Sequence, residues 1–287
     1  MDNAASLIAE LSSRRWEARK AAAQELVKIG PPAIPHLVET LSHGDADVRL
    51  VAAKALGWIR NAAGVAPLTK RLEDKDPDVR RAVALALSKI ADAEALVPLT
   101  EVVGSDSSWA VRAAAAEALG SIGDTRAIPA LVGVLGDGYL DVREAAVESV
   151  ARMGQAAVPQ LLKALDGGNP EMRWGAAKAL GMIGDPAVLE SLQQTLKDED
   201  PSVRQAAVEA LGKLADPRSV GPIAAVLKDS FSPVRYSAVK ALERIGDPQA
   251  TAALTAAVKD RNWGVHWAAL KAVEKIRSIQ SEQKPPV

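Results

Sequence analysis

DPSVRQAAVEALGKLAD, residues 200–216, is the stretch that decides the fold of this chain. The same phrase occurs nine times: an apolar or small residue, an arginine, two variable positions, and an alanine-rich run that closes on Leu and Ile. Consecutive copies lie 30 to 32 residues apart. The residues at the arginine position are Arg19, Arg49, Arg80, Arg112, Arg143, Arg173, Arg204, Arg235 and His266. A period this regular indicates one supersecondary unit stacked on itself along the chain.

Each unit reads as two short helices. In the unit from Asp124 to Gly154, Asp124 can cap a first helix, which Gly136 and Gly138 end. A second helix follows with its apolar residues on one stripe, and Gly154 ends it. One such hairpin cannot bury its apolar stripe alone, so neighbours must stack. The prediction is an all-α fold, a right-handed α-solenoid of about nine helical hairpins with a 31-residue period.

The repeat sets the domain boundaries. We expect one repeat array over residues 1–277, with a first helix that begins at Asp2 or Asn3, and a polar C-terminal tail over 278–287. The second helices are predicted around 16–29, 47–59, 77–90, 109–122, 140–153, 170–183, 201–214, 232–245 and 263–276.

The repeated phrase resembles the HEAT-like repeat of the phycobilisome-lyase type. It stands here as DPSVRQAAVEALGKLAD at 200–216 and as WAVRAAAAEALGSIGD at 109–124, and the resemblance covers essentially the whole chain. It is also similar to the consensus behind the alphaRep scaffolds. Local departures are His266 in place of arginine and the tripeptide 149–151, Ser-Val-Ala, where Ala-Leu-Gly is usual. The resemblance implies that second helices line the concave wall of the solenoid.

Composition narrows the function. Lys and Arg number 35 against 36 Asp and Glu, so bulk charge favours neither nucleic acid nor a membrane surface. Cysteine is absent, and the N-terminus does not read as a signal peptide, so we expect a cytoplasmic protein. The three histidines are scattered, and no nucleophile or phosphate-binding motif occurs. We therefore expect no enzyme, no catalytic residues, no metal and no cofactor.

The tryptophans avoid the predicted core. At about 100° per residue, the repeated alanines, Leu and Ile of each second helix share one arc, and the variable positions share the opposite arc. Aromatic residues make up only 3% of the chain, and all six tryptophans lie outside the core arc. Trp and Tyr dominate binding hot spots because they bury a large area with few rotatable bonds. The alternative, which the pattern leaves open, is that these rings fill gaps between adjacent repeats.

The free arc therefore supplies the candidate partner-binding residues. Leu50, Val51 and Trp58 are expected to form an exposed apolar patch. The full predicted set is Trp16, Leu50, Trp58, Trp109, Trp174, Lys178, Tyr236, Lys240, Arg244, Trp263, Trp267 and Lys271.

Charge on the same arc is graded along the chain. Repeats six to nine are rich in Lys and Arg, and repeats four and five are rich in Glu and Asp. This grading predicts a partner that is acidic where it meets the C-terminal half. The alternative is a solvated face whose charges have no partner.

The repeated arginines fall inside the core arc, so we expect them to be structural. A guanidinium can bind a carboxylate through two parallel hydrogen bonds, which a lysine cannot do. The expected carboxylates stand at the turns between helices, such as Asp106, Asp137, Asp166, Asp198 and Asp229.

Three functions remain open from the sequence. The leading one is a non-catalytic scaffold that binds a protein or an extended peptide on a Trp-lined concave surface. The second, implied by the resemblance, is a phycobilin lyase-like subunit that handles a chromophore. The third is nucleic-acid binding, with Trp263 and Trp267 as stacking platforms, which the balanced charge does not favour.

Overall fold

The chain is built from helical hairpins. The computed structural model describes residues 3–282, and in this range it contains eighteen α-helices and no strand. The first helices of the hairpins are α1 Asn3–Leu11, α3 Ile34–Thr40, α5 Val65–Thr69, α7 Leu96–Ser105, α9 Ile128–Gly133, α11 Val158–Asp166, α13 Leu189–Thr195, α15 Val220–Val226 and α17 Thr251–Ala257. The second helices are α2 Trp16–Ile29, α4 Ala46–Ile59, α6 Pro77–Ile90, α8 Trp109–Ile122, α10 Leu140–Arg152, α12 Pro170–Ile183, α14 Pro201–Leu214, α16 Ser232–Ile245 and α18 Trp263–Glu282.

The hairpins fall into two compact units. The N-terminal unit ends at Met153 and holds the hairpins from α1 to α10. The C-terminal unit begins at Gly154 and holds those from α11 to α18. Within each unit, every second helix packs against the second helix of the next hairpin.

The helix ends follow from local chemistry. In α14, the Asp200 side chain accepts the backbone N–H groups of Ser202 and Val203, and Pro201 occupies the first helical position. The helix ends at Leu214 and is followed by the C-cap residue Ala215, whose φ of 53° is left-handed. First helices are shorter because a 3₁₀ turn precedes most of them. At Asp185, the side chain caps such a turn by accepting the Ala187 N–H.

The C-terminal boundary differs from the predicted one. The tail predicted over 278–287 is helical as far as Glu282, because α18 continues beyond the expected end at 276. Residues 283–287 lie outside the described residues. At the other end, α1 begins at Asn3, and Asp2 lies outside the described range.

Glycines set the distance between neighbouring second helices. A Cβ on Gly120 of α8 would lie 2.3 Å from the Ser149 Oγ of α10. In the C-terminal unit, a Cβ on Gly181 would lie 2.5 Å from the Ala210 Cβ. Such distances are too short for two carbon-bearing side chains, so the glycine of the repeated Ala-Leu-Gly allows close packing.

The arginines form a ladder inside each unit, as the sequence predicts. Arg80 donates from Nε and Nη2 to the two carboxylate oxygens of Asp106, at 2.7 and 2.9 Å, and from Nη1 to the Asp74 carbonyl at 2.8 Å. The pairs of this kind are Arg49–Asp74, Arg80–Asp106, Arg112–Asp137, Arg173–Asp198, Arg204–Asp229 and Arg235–Asp260. Asp166, which the sequence also suggested as a partner, is exposed.

Five of the six ladder aspartates, all except Asp260, join two repeats, because the carboxylate accepts hydrogen bonds from one arginine and the backbone carbonyl accepts one from the next arginine. Burial raises the pKa of Asp106, but the hydrogen bonds from Arg80 and from the Ser108 N–H outweigh it and hold that pKa below its usual value. The pKa of Asp260 is lowered first by its hydrogen bonds to Arg235. These carboxylates are held ionised by structural contacts.

Candidate binding surface

The aromatic residues lie on the exposed side of the second helices, which we call the second-helix face of each unit. Trp16, Trp58, Trp109, Trp263 and Trp267 are all exposed, with Trp58 at 55% and Trp263 at 75% of full exposure. Trp174 is half-buried. Buried apolar positions are filled mainly by Ala, Leu and Val, so the tryptophans are not core residues.

In the N-terminal unit, Trp16 and Trp58 line one groove of about 660 Å³ between α2 and α4. Its floor is apolar and includes Ala23 and Val27. The charged residues that line it are Lys20, Lys28 and Lys54, and no carboxylate does. A fourth lysine, Lys89 of α6, places its Nζ 4.1 Å from the centre of the Trp58 ring. This groove combines two large aromatic rings with positive charge.

Farther along the same unit, Trp109 stacks on Tyr139, with ring centres 6.0 Å apart and planes 18° from parallel. Tyr139 precedes α10 at the N-cap position and also lies over the Arg112 guanidinium, at 5.7 Å. Carboxylates surround this end of the second-helix face, namely Glu117, Asp141, Glu144 and Glu148. The face of the N-terminal unit is therefore basic over α2 to α6 and acidic over α8 and α10.

In the C-terminal unit, five of the predicted site residues line one groove of about 520 Å³ between α16 and α18. They are Tyr236, Lys240, Trp263, Trp267 and Lys271. The two tryptophans meet edge to face, with ring centres 5.9 Å apart.

An adjoining groove of about 480 Å³ is lined by Lys240 together with Arg244, the sixth predicted residue of this region. It is less basic than the sequence suggests, because Glu243 forms ion pairs with Lys240 and with Lys275. Burial raises the pKa of Glu243, but these two lysines outweigh it and keep that pKa below its usual value. Two cations of this groove, Lys240 and Lys275, are therefore already paired within the chain.

The other predicted residues lie apart from these grooves. Trp174 contacts Lys178, whose Nζ lies 4.9 Å from the ring centre. Leu50 is half-buried and does not line the Trp58 groove. Val51 is 6% exposed, so the expected exposed patch of Leu50, Val51 and Trp58 is wrong. Val51 lies at the bottom of the groove between α2 and α4.

The repeated glycine is replaced in some second helices. Val27 of α2 and Glu243 of α16 stand at the position that Gly57, Gly120, Gly181 and Gly212 occupy in other second helices. Val27 lines the groove between α2 and α4, and Glu243 lines the groove of about 480 Å³.

Among residues 3–282, no three His, Asp or Glu side chains are grouped so that they could hold a metal ion. The aspartates with shifted pKa values either belong to the ladder or pair with a nearby arginine, as Asp124 does with Arg126. No helix in this range is long and apolar enough to cross a bilayer.

Several residues of the surface were not predicted. Lys20, Lys54 and Lys89 were on the free arc, but their grouping around Trp58 depends on the helix spacing. Tyr139 and Phe231 stand at N-cap positions where most repeats have Asp, Asn or Ser, and that exchange was visible in the sequence. Phe231 lies 5.8 Å from the Arg204 guanidinium, so both rings cover ladder arginines.

Comparison with known proteins places this geometry in a family. HEAT repeats match over residues 4–74, 34–117, 65–151, 97–166, 158–229 and 220–286. No curated protein matches the chain.

One similar solved structure, a karyopherin, supports the fold, and two others share part of the sequence pattern at lower structural similarity. The karyopherin Kap121p, bound to the extreme C-terminus of the protein phosphatase Cdc14p, is 15% identical with a TM-score of 0.72, over 95% of this chain and 37% of that chain. The complex of CpcE and CpcF of phycocyanin lyase from Nostoc sp. PCC7120 is 27% identical with a TM-score of 0.49, over 52% of this chain and 99% of that chain. An engineered protein is 22% identical with a TM-score of 0.43, over 96% of this chain and 99% of that chain. The chain is thus an α-solenoid, and it belongs to the HEAT repeat family.

Proposed function

We propose that this chain is a non-catalytic scaffold that binds a protein or an extended peptide on its Trp-lined second-helix face. The observation that carries the proposal is the placement of the tryptophans. Five of the six are exposed on second helices, and four of these five line grooves. The tryptophans do not fill the core, which is made mainly of Ala, Leu and Val. Exposure of the indole rings to water is unfavourable in the free protein.

The size of the grooves supports a protein or peptide partner. Volumes of about 480 to 660 Å³ suit side chains or short extended segments. Each groove is lined by one to three large aromatic residues, Trp or Tyr, and by lysines. Trp and Tyr are enriched in protein hot spots, and lysine stems can pack on apolar surface while the ammonium group stays in water. Kap121p shows that the fold can hold the C-terminus of another protein.

The absence of catalysis is part of the proposal. The carboxylates whose pKa values are shifted have partners within the chain, and for the ladder those partners are arginines that also bind backbone carbonyls. Carboxylates that are paired in this way hold neighbouring helices together. A general acid or base would instead face a cleft with a pKa near the working pH.

Photo-crosslinking tests the proposal. We would place benzoylphenylalanine at Trp58 or at Trp267, and as a matched control at Val97, which is exposed at 62% on the first helix α7. Incubation with an extract of the source cells and mass spectrometry then identify the crosslinked molecules. We expect protein adducts from the two second-helix positions and few from Val97.

Two results would count against the proposal. Equal labelling from Val97 would mean that the second-helix face is not preferred. Adducts that consist of nucleic acid would favour the third function considered above, and their yield should then fall steeply as salt is raised.

A further inference from the structure

The groove between Trp16 and Trp58 differs from the others in its charge. Lys20 and Lys54 line it, and no carboxylate among the described residues lies within 4.0 Å of either ammonium group. Lys28, which also lines the groove, forms an ion pair at 2.6 Å with Glu25, and Glu25 does not line the groove. In the C-terminal unit, by contrast, Glu209 and Glu243 line the groove of about 480 Å³, and in the groove of about 520 Å³ Lys240 is paired with Glu243. The N-terminal groove is therefore lined by two lysines that have no ion pair among the described residues, whereas the groove of about 520 Å³ is lined by one, Lys271.

Its length can be worked out from the helix geometry. Trp16 is the first residue of α2, and Trp58 stands thirteenth in α4, which begins at the equivalent position. Twelve positions at a rise of about 1.5 Å separate the rings by roughly 18 Å along the helix axes. An extended peptide advances about 3.4 Å per residue, so about five residues span the distance.

The floor selects a particular side chain. Ala23 and Val27 of α2 present methyl groups to the groove between the two tryptophans. A large apolar side chain that entered here would contact these methyl groups and an indole ring. A small side chain would leave these methyl groups exposed to water. A charged side chain would lose its own hydration.

We propose that this groove binds a short acidic peptide segment that carries one large apolar side chain. The apolar side chain lies over Ala23 and Val27, and flanking carboxylates pair with Lys20 and Lys54. This inference rests on the proposed scaffold function and names the chemistry of one partner.

Nucleic acid fits the groove less well. Lys89 already covers one face of Trp58, at 4.1 Å, which hinders stacking of a base on that face. A polyanion that continued along the same unit would also meet the acidic end of the face, with Glu117 and Glu148 exposed on α8 and α10. A short acidic segment stops before that region.

Peptide display tests the assignment. The full chain would be used to select from a library of random twelve-residue peptides, and the enriched peptides would be synthesised and measured by fluorescence anisotropy. We expect several Asp or Glu residues around a single Phe, Trp, Leu or Ile. Trp58→Ala should weaken their binding at least thirtyfold, and Lys54→Gln about fivefold.

Variants of exposed residues on first helices, outside the second-helix face, serve as controls. Val97→Ala and Lys163→Gln should leave the affinities within twofold. Both Trp58→Ala and Lys54→Gln change exposed side chains, and equal urea midpoints for all four variants would show that each is folded.

The contrary outcomes separate the two proposals. Enriched peptides that depend on Trp263 and not on Trp58 would overturn this assignment and leave the scaffold function standing. If no peptide is enriched, or if enriched peptides are basic, the assignment is wrong. A labelled twelve-nucleotide oligothymidylate that binds more tightly than any peptide, and depends on Lys54, would replace it with a nucleic-acid site.

Discussion

Removal of one ladder carboxylate should destabilise the N-terminal unit far more than removal of an exposed one. In Asp106→Ala, Arg80 loses two charge-assisted hydrogen bonds of 2.7 and 2.9 Å. The two side chains are only 13% and 7% exposed, so water replaces the carboxylate poorly. Breaking such a buried pair costs about 3–5 kcal/mol, and the residual exposure of Arg80 places our expectation near the lower end, at about 3 kcal/mol.

The assay is urea unfolding followed by circular dichroism at 222 nm. The matched control is Asp124→Ala, because Asp124 makes a similar ion pair with Arg126 at an exposed site, where we expect a small change in the midpoint. Asp106→Asn keeps an oxygen acceptor and should lose about half as much stability as Asp106→Ala. Adding Arg80→Met to Asp106→Ala should cost less than the sum of the single changes, because the buried unpaired charge is gone. Equal midpoints for Asp106→Ala and Asp124→Ala would refute the reasoning.

Three further predictions concern pH, packing and exposure. The pKa of each ladder aspartate is lower in the folded chain than the ordinary value of about 3.9, so as the pH falls the unfolded chain binds protons first. The melting temperature should therefore stay level above about pH 5 and fall below about pH 4. A melting temperature that stays level down to pH 2 would contradict this. Gly181→Ala should cost roughly 1–3 kcal/mol in urea unfolding, because its Cβ would meet Ala210, whereas Gly104→Ala has open space and should be neutral or stabilise by up to about 1 kcal/mol; similar effects at both sites would contradict the packing. Tryptophan emission should be red-shifted and readily quenched by acrylamide, since five of six indoles are exposed; blue-shifted emission that resists quenching would indicate buried rings.

The second helices were predictable because each is specified locally. A capping Asp or Asn, a proline at the first position and a glycine after the last turn occur together in the sequence of helices such as α12, with Asn169, Pro170 and Gly184. The arginine ladder followed from the same repeat, since guanidinium groups inside a core arc need carboxylates.

The grooves were not predictable, because they depend on distances between helices. The helical wheel places Val51 on the free arc, but in the folded chain it is only 6% exposed and lines the groove between α2 and α4. The wheel likewise treats Lys240 as a free charge, while Glu243 pairs with Lys240 and with Lys275 of the next second helix. Val27 in place of glycine was visible in the sequence, but its position in the lining of a groove depends on how α2 and α4 pack.

The central claim is that exposed aromatic residues of the second-helix face bind the partner and contribute little to folding. Its most direct test is the affinity of the crosslinked partner for the triple variant Tyr236→Ala, Trp263→Ala and Trp267→Ala. All three side chains are exposed in one groove, so we expect the urea midpoint to change little and the affinity to fall at least a hundredfold. A variant that unfolds, or one that binds as tightly as the original chain, would contradict the claim.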